Sequence, residues 1–132
     1  KSGWIDVLKS KSKNPKISQM QDLYKIGFSN SSVKERVKNA SKQGTYLFAD
    51  VEIVASYICY NLDTHQFENL IHRFFGECCL NIDLYDENKQ RITPREWFVV
   101  PLPIINEVID LIISGGILNY NYDVESQKLF LK

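Results

Sequence analysis

The side chains best suited to chemistry in this 132-residue chain begin with its lysines. Residues 1–42 hold ten Lys/Arg against three Asp/Glu, and residues 43–132 hold six against thirteen, so a net charge of zero hides a basic first third. Lys9, Lys11, Lys13 and Lys16, with Lys34 further on, are placed to contact a polyanion backbone through a salt-sensitive, sequence-independent attraction. The plainer alternative is a solvated Lys-rich surface. Glu68 precedes His72 by four residues, one helical turn, which suits an exposed ion pair worth a few tenths of a kcal/mol. His65, His72, Cys59, Cys78 and Cys79 show no CxxC or HxxxH spacing, which argues against structural zinc. No Gly-rich phosphate loop is present, which argues against use of nucleoside triphosphates.

Positioning these groups takes a compact fold. The composition is 44% hydrophobic and 24% charged, with six Gly and four Pro, which excludes disordered and low-complexity classes. The length suits one domain burying roughly two-thirds of its unfolded surface. No apolar run approaches the ~18 residues of a membrane span, so no membrane partner is expected. Three Cys, two of them adjacent, give no disulfide framework and point to a reducing, cytoplasmic setting. Opening at Lys1 without Met or a leader-like stretch, the chain is expected to be trimmed or a fragment.

Residues 3–8 read as a strand, 9–21 as a long polar loop around Asn14-Pro15, and 22–28 as a second strand. Pairing them puts Ile5, Val7, Tyr24, Ile26 and Phe28 on one face, and Trp4, Asp6, Lys25 and Gly27 on the other. A helix follows, with Ser32 and Glu35 at capping-box spacing and a Val33, Val37, Ala40 stripe. Residues 50–60, β-branched and aromatic, predict a strand long enough to sit centrally. A second helix begins near Asp63, burying Phe67, Leu70, Ile71 and Phe74. Residues 78–92 are ambiguous, with a turn at 86–88, and 96–100 predict another strand. Pro101 and Pro103 lead a third helix with apolar positions Ile104, Ile105, Val108, Leu111 and Ile112. Gly115-Gly116 end it, and residues 117–131 form a hairpin. The expected fold is α+β: a small antiparallel or mixed sheet flanked by helices. It divides into a ββαβαβ core over 1–100 and an αββ extension over 101–132 that packs on it.

The ordered set Trp4-Ile5-Asp6, Lys25-Ile26-Gly27, Arg36, Glu68 and Glu96-Trp97-Phe98 resembles the GIY-YIG nuclease superfamily, over about residues 3–100. It looks closest to the branch whose second tripeptide reads Lys-Ile-Gly. The resemblance implies a DNA endonuclease that hydrolyses phosphodiesters with one divalent ion, Mg²⁺ or Mn²⁺. Arg36 would then offer a planar, permanently charged fork to the transition-state phosphate, with a solvated helical Arg as the plain alternative. Glu68 would hold the metal, since one carboxylate with waters and substrate oxygens suits Mg²⁺. His72 would support that ligand or be a surface His. Lys25 would serve as base or phosphate contact. Gly27 would offer a bare backbone for close approach, or mark a bulge.

Asp6 departs from the pattern, which has Tyr there. An aspartate carboxyl ordinarily titrates near ~3.9 and a phenol near ~10, so proton acceptance differs sharply. Three readings stay open: an inactivating change, natural or introduced; a substitute base or second metal ligand; or the polar face of an edge strand. DNA is the implied partner. Cutting both strands from one centre requires a homodimer or two successive nicks. Two rival functions remain, a catalytically dead DNA-binding module and an interaction domain docking a partner through helix 103–114.

Overall fold

The computed structural model describes residues 2–31 and 33–132, so the Ser32 half of the expected capping box lies outside the described residues. The elements run β1 (Ser2–Ser10), α1 (Pro15–Ser18), β2 (Leu23–Ser29), α2 (Val33–Arg36), β3 (Val51–Tyr60), α3 (Thr64–Phe75), β4 (Leu84–Tyr85), β5 (Arg91–Ile92), β6 (Trp97–Val99), α4 (Leu102–Ser114), β7 (Tyr120–Asp123) and β8 (Lys128–Leu131). The fold is α+β, built on a small sheet ordered β3-β1-β2-β6. Every described ladder is antiparallel.

The first hairpin has the register that two-residue alternation demands, with Ile5 opposite Phe28 and Val7 opposite Ile26. Those side chains enter the main core with Phe67, Ile71, Phe74 and Phe75 of α3 and Ile105, Val108, Ile109 and Ile112 of α4. Asp63 caps α3, its carboxylate accepting the His65 amide at 2.8 Å. Gly115 ends α4 at φ 87°, a left-handed conformation that glycine adopts without penalty. The C-terminal hairpin lays Tyr122 edge-on against Phe75, ring centroids 5.2 Å apart. Helix α4 and part of the hairpin thus share one core with β1 and β2.

Three expectations are corrected. The long strand is not central: β3 is the sheet edge, and β1 takes the inner place between β3 and β2. β-Propensity reports fit to a pleated, half-buried surface, and it does not set strand order. The polar loop is not wholly irregular. Asn14 caps the short α1, which drops Ile17 into a second cluster with Leu23, Leu47, Leu80 and Trp97. The first helix stops at Arg36 and gives way to single 3-10 turns over Ala40–Lys42 and Gly44–Tyr46. Asn39, Ser41 and Gly44 are poor helix interiors, and Ala40 and Tyr46 must fold down onto Leu8. No helix among the described residues is long and apolar enough to cross a membrane.

Phe75 is fully buried where α3, β6 and the C-terminal hairpin meet. Phe75→Ala is expected to lower unfolding free energy by about 3–5 kcal/mol, read from urea denaturation midpoints. A midpoint equal to wild type would contradict this packing.

Candidate active site

With Ile5, Val7 and Ile26 committed to the core, alternation turns Asp6, Lys25 and Gly27 to the opposite sheet face. That face is roofed by residues 33–48, the segment containing α2 and the two 3-10 turns. The roof is pinned where the Trp97 indole donates to the Thr45 carbonyl at 2.9 Å. Leu47 and Phe48 then turn the chain towards β3 with φ of 58° and 56°. Left-handed backbone at non-glycine residues costs of order 1–3 kcal/mol each, so packing must hold it. Burial of Tyr46 and Leu47 supplies that packing.

Under this roof lies a row of charges. Lys25 is only 2% exposed, and its Nζ donates to Glu96 Oε2 at 2.6 Å. The ammonium also sits 5.2 Å from the centre of the Tyr46 ring, within cation–π range. Asp6, also 2% exposed, accepts from Ser56 Oγ at 2.7 Å and faces Arg36 Nη1 across 3.6 Å. That second contact is a charge interaction too long for a hydrogen bond, and Asp6 Oδ2 has no hydrogen-bond partner among the described residues. Burial pushes the Asp6 carboxyl above its ordinary value, with Ser56, Arg36 and Lys25 pulling it down. Burial likewise raises the Tyr46 phenol, which Arg36 lowers and Glu96 and Asp6 raise further.

The row opens to solvent at one place. β6 pairs with β2 only from Leu23 to Lys25, and the last bridging bond runs from the Ile26 amide to the Glu96 carbonyl. Beyond it, Gly27 and Phe28 face a small cleft completed by Phe67, Glu68 and His72 of α3 and by Glu96. Gly27 is the floor. A Cβ there would lie 3.1 Å from Lys25 Nζ, 3.7 Å from Glu96 Oε2 and 3.9 Å from Arg36 Nη2. Bare backbone is what lets three charged groups converge. Arg36 reaches this point from the roofed face, and Glu68 comes to it on α3, from the core face.

The structure gathers Lys25, Arg36 and Glu96 around Gly27, and Glu68 lines the small cleft next to that glycine. Lys34 is exposed on α2, two residues before Arg36. Lys9, Lys11, Lys13 and Lys16 are exposed at the end of the sheet where β1 passes into α1, with the Lys11 amide bonded to Asp50. Asp6 is corrected on one point: β1 is an inner strand, so this carboxylate is enclosed and not on an exposed edge. Lys25 is enclosed as well. No ion pair joins Glu68 to His72 among the described residues, and the His72 ring instead meets Phe98 edge-on at 5.5 Å. Two site residues are not evident from the sequence. Glu96 reads there as part of a strand, and Tyr46 falls in a stretch with no periodic signal.

The donor set can be tested against a metal. Among the described residues no group of three or more His, Cys, Asp or Glu is placed to hold an ion, so a zinc-type cage does not fit. Glu68 is exposed and makes no ion pair or hydrogen bond to another described side chain. One free carboxylate beside a cleft fits Mg²⁺, which keeps waters and takes substrate oxygens to complete its shell.

Residues 3–113 match the family model of the T5orf172 domain. The chain belongs to the T5orf172 domain family. This overturns the GIY-YIG assignment drawn from the tripeptides. T5orf172 is a distinct, nuclease-associated family, and its match extends past residue 100 into α4. Apolar triplets are weak guides because packing alone requires them: Ile5 and Ile26 are the buried middle residues of any such strand pair. The T5orf172 chain is 44% identical over 112 residues to the uncharacterized protein YeeC of Bacillus subtilis (strain 168). The match covers 85% of this chain and 29% of YeeC, so the chain spans less than a third of that relative. No solved structure matches.

The enclosed Asp6 generates a pH test. A carboxyl raised above its unfolded value holds its proton more tightly in the native state. Its favourable contribution is therefore present at acid pH and lost as pH rises through the native pKa. Asp6→Asn keeps an oxygen for Ser56 and removes that loss. Its stability relative to wild type should increase from pH 4 to pH 7, compared by urea midpoints. A gap that stays constant across the range would count against the raised carboxyl.

Proposed function

We propose that this T5orf172 domain is a metal-dependent DNA endonuclease domain that hydrolyses phosphodiester bonds. The observation that carries the reading is the convergence of Arg36, Glu96 and Lys25 over the bare backbone of Gly27, at a cleft also lined by Glu68. A phosphodiester transition state spreads negative charge over its oxygens, and a guanidinium already fixed in place stabilises that charge without reorganisation. Arg36 has such support: Asp6 faces it, and Asp6 is itself held by Ser56. Its side chain remains 27% exposed, enough to meet a phosphate oxygen. Asp6 is too enclosed to meet water and serves to hold Arg36.

Glu68 is the residue that would hold Mg²⁺ or Mn²⁺. Such an ion supplies Lewis-acid stabilisation of the phosphate and of the leaving oxygen. Lys34, Lys38 and Lys42 are exposed on the same segment as Arg36 and suit the sugar-phosphate backbone. Lys9, Lys11, Lys13 and Lys16 extend the basic surface, Lys9 lying about 10 Å along β1 from Asp6. These contacts carry no base-edge chemistry and make affinity strongly salt-dependent.

Nicking of supercoiled plasmid in Mg²⁺ or Mn²⁺ tests the reading. Wild type is expected to nick, Glu68→Ala to lose activity, and Arg36→Ala to fall by about 10²–10³-fold, the scale for loss of one transition-state donor. Salt-sensitive DNA binding with no cleavage by wild type would leave a DNA-binding module. No DNA binding at low salt would remove the reading altogether.

A further inference from the structure

We infer that Glu96, held by buried Lys25, is the general base that takes the proton from the attacking water. The inference rests on the hydrolase reading above and adds the group that reading lacks. Hydrolysis needs a proton acceptor with a free lone pair at the cleft. Asp6 and Lys25 are each 2% exposed, and both are engaged by partners on the roofed face. Tyr46 is buried beneath the same roof. Glu68 is the carboxylate left for the ion. Two acceptors then remain on the cleft wall, Glu96 and His72.

Geometry favours Glu96. Its side chain is 37% exposed, and one oxygen is fixed by Lys25 Nζ at 2.6 Å. The carboxylate is thus oriented by one atom and free to accept at the other. Arg36 Nη2 and Glu96 Oε2 both lie over the same glycine, so a phosphate held by Arg36 would sit close to the Glu96 carboxylate. The His72 ring packs edge-on against Phe98 and has no polar partner among the described residues to fix it. An acceptor must be positioned before its basicity matters.

In the step, the water oxygen attacks phosphorus while its proton passes to Glu96 Oε1. The bond from phosphorus to the bridging oxygen breaks, that oxygen takes a proton from solvent, and Glu96 returns its proton to solvent. Lys25 is a positioning residue: its ammonium orients the carboxylate and does not exchange the proton.

The experiment compares Glu96→Gln, Lys25→Met, the double variant and His72→Ala, by plasmid nicking and by DNA binding in Ca²⁺. Gln keeps an oxygen for Lys25, and the double variant leaves no unpaired buried cation if the single change impairs folding. Glu96→Gln should lose about 10²–10⁴-fold in nicking, the usual worth of a general base, with DNA binding unchanged. Lys25→Met should nick at least about ten times faster than the double variant, which lacks the base altogether. Glu96→Gln within tenfold of wild type overturns the assignment, as does Lys25→Met matching the double variant, or loss confined to His72→Ala. Each of these leaves the hydrolase reading intact, since Glu68→Ala still abolishes cleavage. A wild type that never nicks overturns both.

Discussion

The ammonium of Lys25 is almost wholly withdrawn from water, and much of the site follows from keeping it there. Desolvating such a charge carries an effective penalty of several kcal/mol, which only close, well-placed partners offset. Glu96 provides the counter-charge and Tyr46 the face of an aromatic ring. Each partner imposes a structural demand. Glu96 must sit where β6 begins, and so β6 stops pairing with β2 at that point and leaves Gly27 uncovered. Tyr46 must be lowered onto the sheet, which takes two 3-10 turns and two successive left-handed residues. The open edge and the roof are both conditions for a buried lysine.

Two different layers therefore meet at one strand. On the core face of β2, Ile26 packs with α3 and α4, and this is where most apolar burial lies. On the other face, Lys25 and Gly27 belong to a polar layer with Asp6, Ser56 and Arg36. The sheet is the partition, and at its unpaired edge Gly27 has a guanidinium from α2 near it on one side and shares a small cleft with a carboxylate on α3.

Much of this is legible in the residues because the signals are periodic. The alternation of Ile5, Val7, Ile26 and Phe28 sets both the hairpin register and the face that Asp6, Lys25 and Gly27 occupy. Asp63 and the Phe67–Phe74 stripe place α3, and so Glu68. What fails has no period to read. Strand order is a property of the whole sheet, and an apolar ten-residue segment serves an edge as readily as a centre once α3 and α4 shelter its inner face. Residues 33–48 are held by single contacts such as Trp97 to Thr45, which leave no mark on spacing, and so nothing in the pattern singles out Tyr46. Glu96 reads as the first residue of a strand and not as the partner of a lysine 71 positions earlier. The superfamily assignment fails for the converse reason: its triplets carry a packing signal that many strand pairs share.

The bond from Trp97 to Thr45 gives the molecule a built-in optical gauge. Its indole is enclosed and tethered to the lid that shields the lysine. Loosening of that lid exposes the ring to solvent dipoles and moves its fluorescence to longer wavelength. Trp4, the other tryptophan, lies half-buried on the same side of the sheet. Emission colour thus reports the enclosure of Trp97 by the roof and by its apolar neighbours Ile17, Leu23, Leu47 and Leu80.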